Sequence, residues 1–287
     1  MRNTHHLAAG SATGFMPLRF FITAPLFAAL SAALLAWPGD AARHAHAPLA
    51  AAYLLALGCL AMPVTGALLW FLPVMAGIPV AGARSARAMH ALLCAGALSL
   101  AAALLDGHEL LGAAALATLA AACLSFGWCT MGVWRHLPGG ADASLTAIRL
   151  SLAALAGGAI WALPMAVGLT RPAGMHGAWT AAGTLGVFGW LGLAAVGMAI
   201  VIVPASLGTP PYPRWVTRGF ARTLFLLLAV AMLPPGVAGP LPRIAIAALG
   251  AGYGAFALVT LWLLARHRSA GHMSEACGTV AHPLRAT

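Results

Sequence analysis

Lysine does not occur in this chain, and acidic residues scarcely do: five Asp and Glu stand against 15 Arg in 287 residues. With 7% of residues charged and 62% hydrophobic, a soluble domain of this length is excluded, because too little polar surface exists to face water. The few charges also avoid the middle of the apolar stretches. A relay of buried Asp, Glu or His is missing, and with it the usual machinery of a proton pump or ion-coupled transporter. The five cysteines form no CxxC and no CxxCH, so covalent haem attachment is not encoded. No loop pair is placed to make a disulfide. Cys59, Cys94, Cys123 and Cys129 fall inside apolar stretches and read as small packing residues, with Cys277 near the end of the chain.

What is abundant is apolar run length. Eight stretches near 17–37, 48–72, 88–105, 110–134, 145–169, 178–203, 219–236 and 241–265 each suffice to cross a hydrocarbon core about 30 Å thick. They lack the alternation of a barrel, so the backbone must be satisfied within helices. The expected fold is an all-α polytopic membrane protein. Its arginines report orientation. Placed on alternate sides of eight spans, Arg2, Arg19, Arg84, Arg87, Arg135, Arg149, Arg214, Arg218, Arg222, Arg266, Arg268 and Arg285 share one side. Arg43, Arg171 and Arg243 fall on the other, with Asp40, Asp106 and Glu109. The asymmetry is a positive-inside signal that puts both termini in the cytoplasm of a bacterial inner membrane. The pI near 11 is then a topological mark, and nucleic acid is not an expected partner. The first apolar run follows Arg19 without a small-residue cleavage pattern and reads as an anchor.

The chain also repeats itself. Gly58, Gly66, Pro73, Gly77 and Pro79 recur at Gly189, Gly197, Pro204, Gly208 and Pro210 with a constant offset of 131. The same offset carries Arg87 onto Arg218 and Arg135-His136 onto Arg266-His267. Glycine and proline are minority residues, so a shared G-x6-P-x3-G-x-P pattern is poorly explained by chance. An even number of spans per unit makes the two repeats parallel. The expected organisation is a first four-helix repeat at 1–140, a second at 141–270, and a disordered cytoplasmic tail at 271–287. Gly58 and Gly66, like Gly189 and Gly197, lie on one helix face, where small residues permit close approach of another helix or a flat cofactor.

Outside the spans, His44, His46, His108 and His176 fall on the non-cytoplasmic side, beside Asp40, Asp106, Glu109 and Met175. Imidazole with carboxylate or thioether is a ligand set for copper or zinc, which makes these four histidines the candidate metal ligands. Arg214, Arg218 and Arg222 share a helical face after Pro213 and read as an interfacial anchor. Trp37, Trp70, Trp134, Trp179, Trp215 and Trp262 lie near span ends, as an aromatic belt requires.

Two segments resemble a known family. The first runs Tyr53-Leu54-Leu55-Ala56-Leu57-Gly58, then Gly66-Ala67-Leu68-Leu69-Trp70-Phe71-Leu72-Pro73-Val74-Met75-Ala76-Gly77. The second runs Gly189-Trp190-Leu191-Gly192-Leu193, then Val203-Pro204 and Thr209-Pro210-Pro211-Tyr212-Pro213. Both are similar to small bacterial membrane proteins related to haem–copper oxidase catalytic subunits, of the nitric-oxide-response (NnrS-like) kind. The likeness covers under half of the chain. It implies haem or copper as cofactor, a four-helix arc as the repeating unit, and a role in metal handling or in respiratory and nitrosative stress. In those relatives a histidine ahead of the Leu-x-x-Leu-Gly stretch ligates haem; here Tyr53 stands there, and Thr184 stands at the repeat-related place. Tyr53 and His90, just inside span three, are the candidate cofactor-binding residues, and no catalytic residue is assigned. Two other readings stay open: a small-molecule permease with its site between the repeats, and a structural or assembly subunit docking other membrane subunits through its glycine faces.

Overall fold

The computed structural model describes residues 16–37, 41–75, 80, 83–135, 143–166, 183–233 and 239–280. Every regular element among them is helical. In chain order they are α1 (Met16–Ala36), α2 (Ala41–Tyr53), π1 (Leu54–Ala61), α3 (Met62–Met75), α4 (Ala83–Asp106), α5 (Glu109–Cys129), a short α6 (Gly132–Arg135), α7 (Ala143–Ala166), π2 (Leu185–Gly192), α8 (Leu193–Leu207), π3 (Val216–Phe220), α9 (Ala221–Ala231) and α10 (Leu241–Val280).

Seven described stretches are long and apolar enough to cross a bilayer: Leu18–Ala36, His46–Pro73, Arg84–Asp106, Leu110–Cys129, Ala143–Trp161, Leu185–Leu207 and Leu241–His267. Large apolar side chains on their outer surfaces face outward in bulk. Leu110 is 79% exposed, Leu124 73% and Leu258 68%, a distribution tolerated only where the surrounding medium is hydrocarbon. The protein is an all-α polytopic membrane protein. The remaining expected span, 219–236, is occupied by π3 and α9 up to Ala231, and its last residues lie outside those described. Helix α10 runs on past residue 271 to Val280, into the segment read as a disordered tail; no proline interrupts it between Pro242 and Pro283.

The helices gather into two compact units: one of residues 1–138 and 149–194, the other of residues 139–148 and 195–287. In the first unit α1 lies against π1 and α3, and α4 pairs along its length with α5. Its core holds Phe20, Leu54, Met62, Leu68, Phe71, Met89 and Leu100, all buried. Polar groups within this unit bond locally, as a low-dielectric surround demands. The Ser31 hydroxyl donates to the Ala51 carbonyl at 2.9 Å, joining α1 to α2. The Arg149 guanidinium donates through Nε and an Nη to the Val133 carbonyl at 3.1 and 2.9 Å. The α4–α5 turn is made by Gly107, whose φ of +66° is a left-handed conformation that glycine adopts without cost.

In the second unit the core is Val196, Tyr212, Val216, Phe256 and Leu263. Tyr212 stacks on Phe256 with ring centroids 5.4 Å apart, and its hydroxyl pairs with Thr260 Oγ1 at 2.9 Å. Gly197 supports the closest helix approach here. A Cβ on it would lie 3.0 Å from the Ser144 carbonyl oxygen and 3.2 Å from the Ala147 Cβ. The Ser144 hydroxyl donates to the Gly197 carbonyl at 2.6 Å across the same contact. Helix α8 ends at Leu207, and the next residue, Gly208, with φ +63° and followed by Pro210, serves as a helix stop.

Candidate functional site

The repeat acquires a structural counterpart in the backbone. Segment π1 spans Leu54–Ala61 and π2 spans Leu185–Gly192, and the offset of 131 carries one onto the other from first residue to last. A π-helix shifts each hydrogen bond one residue further along the chain, widening the turn. It usually persists for a single turn and concentrates at functional sites. Two eight-residue π segments at repeat-related positions are therefore a specific feature of this fold. Each carries a buried glycine in its fifth position, Gly58 in one and Gly189 in the other. At Gly58 the reason is visible: a Cβ there would fall inside the Phe27 side chain of α1. Proline is not the common cause, because Pro63 follows π1 whereas Ala194 holds the equivalent place after π2. Beyond π1 the Thr65 hydroxyl donates back to the Ala61 carbonyl at 2.7 Å.

The two π segments touch within the first unit and border a cavity of about 150 Å³. From π1 and its flanks come Tyr53, Ala56, Leu57, Ala61 and Thr65. From π2 and its approach come Gly183, Gly186, Val187, Trp190 and Leu191. The walls are closed by Met89 and Leu93 of α4, Ala120, Cys123 and Phe126 of α5, and Leu155, Gly158 and Ala159 of α7. Small residues leave the space and aliphatic ones line it. The polar atoms on the lining side chains are the Tyr53 and Thr65 hydroxyls, the Cys123 thiol and the Trp190 indole N–H. None carries charge at neutral pH, so a charged occupant would lose its hydration with no partner to replace it. The cavity suits a small, uncharged molecule. Its volume matches the apolar cavity of about 150 Å³ that is known to take benzene or xenon.

Trp190 stands out among these groups. The residue is 6% exposed and its ring packs edge-to-face with Phe126 at 6.0 Å between centroids, yet its indole N–H has no hydrogen-bond partner among the described residues. The residue was not singled out from sequence. The available signal was its position in the middle of the 178–203 run, away from the span-end tryptophans.

The candidate cofactor residues divide. Tyr53 is the residue preceding π1 and lines the cavity. His90 lies one position past the lining residue Met89 and is turned to α1. There its Nε2 sits 3.1 Å from Thr23 Oγ1, and its ring meets Phe20 edge-on at 4.9 Å. Cys94 Sγ is 3.8 Å from the same nitrogen. A haem does not fit this place. The cavity is well below the roughly 300–1,000 Å³ typical of cofactor pockets, and no histidine is among its lining residues.

The outer histidines are described only in part. His46 is an exposed residue of α2, and His108 is exposed at the residue preceding α5. His176 and the side chain of His44 lie outside the described residues. Among the described residues no three His, Cys, Asp or Glu side chains come together as a metal-binding group. No family model, curated protein or solved structure matches the chain. The fold and the cavity thus define its class: a polytopic helical membrane protein with an apolar cavity flanked by repeat-related π segments.

Proposed function

We propose that the protein is a small-molecule permease of the bacterial inner membrane, with both termini cytoplasmic, whose uncharged substrate occupies the cavity between π1 and π2. The observation that carries this reading is the coincidence of two features. The cavity is bordered by the pair of segments where the repeated backbone departs from α-helix. Duplicated transporters commonly form their sites from broken helices at the junction of their repeats. The sequence places no Asp or Glu inside an apolar span, which agrees with a substrate that moves without a coupled ion. The arginine distribution supplies the orientation.

The test is thermal unfolding of the protein in nanodiscs against a panel of neutral ring compounds near benzene in size. A ligand that binds only the folded form raises stability by about 2.7 kcal/mol at a concentration 100 times its dissociation constant. Ala120→Phe and Ala159→Phe, which put a ring into the cavity, should lose that response while melting as cooperatively as the native chain. Partitioning into lipid affects all three proteins alike, so an equal response in all three would overturn the proposal.

A further inference from the structure

We propose that Arg214, Arg218 and Arg222 form a docking site for an acidic phospholipid that carries two phosphates on one headgroup. The site lies in the second unit and does not involve the cavity, whose lining residues all belong to the first. All three arginines are exposed, and their guanidinium groups make no hydrogen bond or ion pair with any described residue. The chain has no acid to offer them nearby in sequence: from residue 143 to residue 274 there is no Asp or Glu.

The backbone sets the three side by side. Their helix begins after Pro213, whose carbonyl accepts from the Val216 and Thr217 amides at 3.0 and 3.3 Å. In an α-helix each four-residue step overshoots a full turn by about 40°, so arginines at that spacing fan out around the axis. Here π3 (Val216–Phe220) lies between the first and the last of them. A π turn holds more residues than an α turn, so the four-residue step through it takes back that drift and keeps the arginines in one column. The column is no more than about 12 Å long, with about 6 Å between neighbours. Each of its two gaps is bordered by a pair of arginines, whose planar forks suit a phosphate. Three arginines thus make room for two phosphates, with Arg218 serving both. Trp215 marks the depth: it is 51% exposed and packs edge-on against Phe220 at 5.6 Å, an interfacial ring at the level of lipid headgroups.

The repeat separates this column from the general excess of arginine. The offset of 131 carries Arg87 onto Arg218, but Ala83 and Ala91 hold the places related to Arg214 and Arg222. The first repeat does without them, so orientation in the membrane does not require them. Local folding does not either, because a cation in the first turn of a helix opposes its dipole.

For the test, the full chain in a neutral detergent is titrated with cardiolipin, which has two phosphates, with phosphatidylglycerol, which has one, and with phosphatidylcholine. Native mass spectrometry counts the bound lipid. The expected result is one cardiolipin per chain, held at least about tenfold more tightly than phosphatidylglycerol. Changing all three arginines to glutamine should remove that preference, at about fivefold in affinity per arginine. Arg218→Gln alone should weaken binding more than Arg214→Gln or Arg222→Gln, because both phosphates lose a partner. The charge-matched control combines Arg19→Gln, Arg84→Gln and Arg87→Gln, exposed arginines of the first unit, and should keep the preference. Equal losses in the two triple variants would show net charge alone at work and overturn the proposal. Equal retention of cardiolipin and phosphatidylglycerol by the native chain would overturn the two-phosphate pairing. Displacement of cardiolipin by an equal concentration of soluble pyrophosphate would overturn lipid as the occupant. If either triple variant does not fold, Arg218→Gln against Arg87→Gln, single changes at repeat-related places, makes the same comparison.

Discussion

Replacing Gly58 by alanine adds one methyl group where the structure leaves no room. The new Cβ would fall on the Cβ, Cγ and Cδ1 atoms of Phe27, the stem of a buried ring with no freedom to swing aside. Overpacking of this kind costs about 1–3 kcal/mol. Against it stands the gain from removing a glycine inside a helix, roughly 0.5–1 kcal/mol. The net expectation is a loss of about 1–2 kcal/mol, which lowers the melting temperature by roughly 2–6 °C in a chain of this size. Gly254→Ala in α10 is the internal control. That glycine is exposed and a Cβ on it meets nothing within 4 Å, so only the helix term remains and the melting temperature should rise. Unfolding in mild detergent, followed by tryptophan fluorescence, reads both. Phe27→Ala in the Gly58→Ala background should recover part of the loss, a coupling of about 0.5–2 kcal/mol between touching sites. Equal shifts of the same sign at Gly58 and Gly254, or strict additivity with Phe27→Ala, would refute the close approach of α1 to π1.

Other substitutions probe the remaining contacts. Gly197→Leu should destabilise the second unit severely, because even a Cβ is held to 3.0 Å by the Ser144 carbonyl; folded yield in detergent checks it. Ser144→Ala removes only the hydroxyl that bonds the Gly197 carbonyl and should cost about 0.5–1.5 kcal/mol in the same unfolding assay. Arg149→Ala strips both donors from the Val133 carbonyl and should cost about 1.5–3 kcal/mol, whereas Arg214→Ala at an exposed position should change stability little. Changing His46 and His108 together should leave the melting temperature unaltered, both being exposed; a clear drop would show that they pack.

Much of the fold was readable because the bilayer imposes one rule, that apolar length must be helix, and Arg19 through Arg266 mark the ends of those lengths. The glycine pattern was readable too, as close approach at Gly58 and Gly197. The π geometry was not. It is a one-residue change in hydrogen-bond register with no side-chain requirement of its own: π1 is mostly Leu and Ala around Gly58, whereas π2 holds three glycines, Gly186, Gly189 and Gly192. The cavity was hidden for a related reason. Its signature is volume that Ala56, Ala120, Gly158 and Gly186 leave unfilled, and in an alanine-rich chain those residues look like any others. Tyr53 was named through a resemblance that implies haem; it lines a cavity well below the usual volume of a cofactor pocket.

The size of the cavity bears on what the repeat is for. A haem needs two axial ligands or one strong one, and a flat slot several times larger than this cavity. The π segments instead bring two wide helical turns together over a space near the size of a single aromatic ring. Widening a helix moves its side chains off the regular 3.6-residue register, which separates them where an α-helix would interleave them. The space between π1 and π2 follows from the backbone, and the side chains that line it decide its chemistry: Tyr53, Ala56 and Leu57 on one side, Val187, Trp190 and Leu191 on the other. If this is right, filling the space from either segment, by Ala56→Leu in π1 or by Gly186→Leu in π2, where a Cβ meets nothing within 4 Å, should abolish the stabilisation by neutral ring compounds and leave cooperative melting intact. Loss of the response from one side alone would show that the segments are related in backbone but not in use.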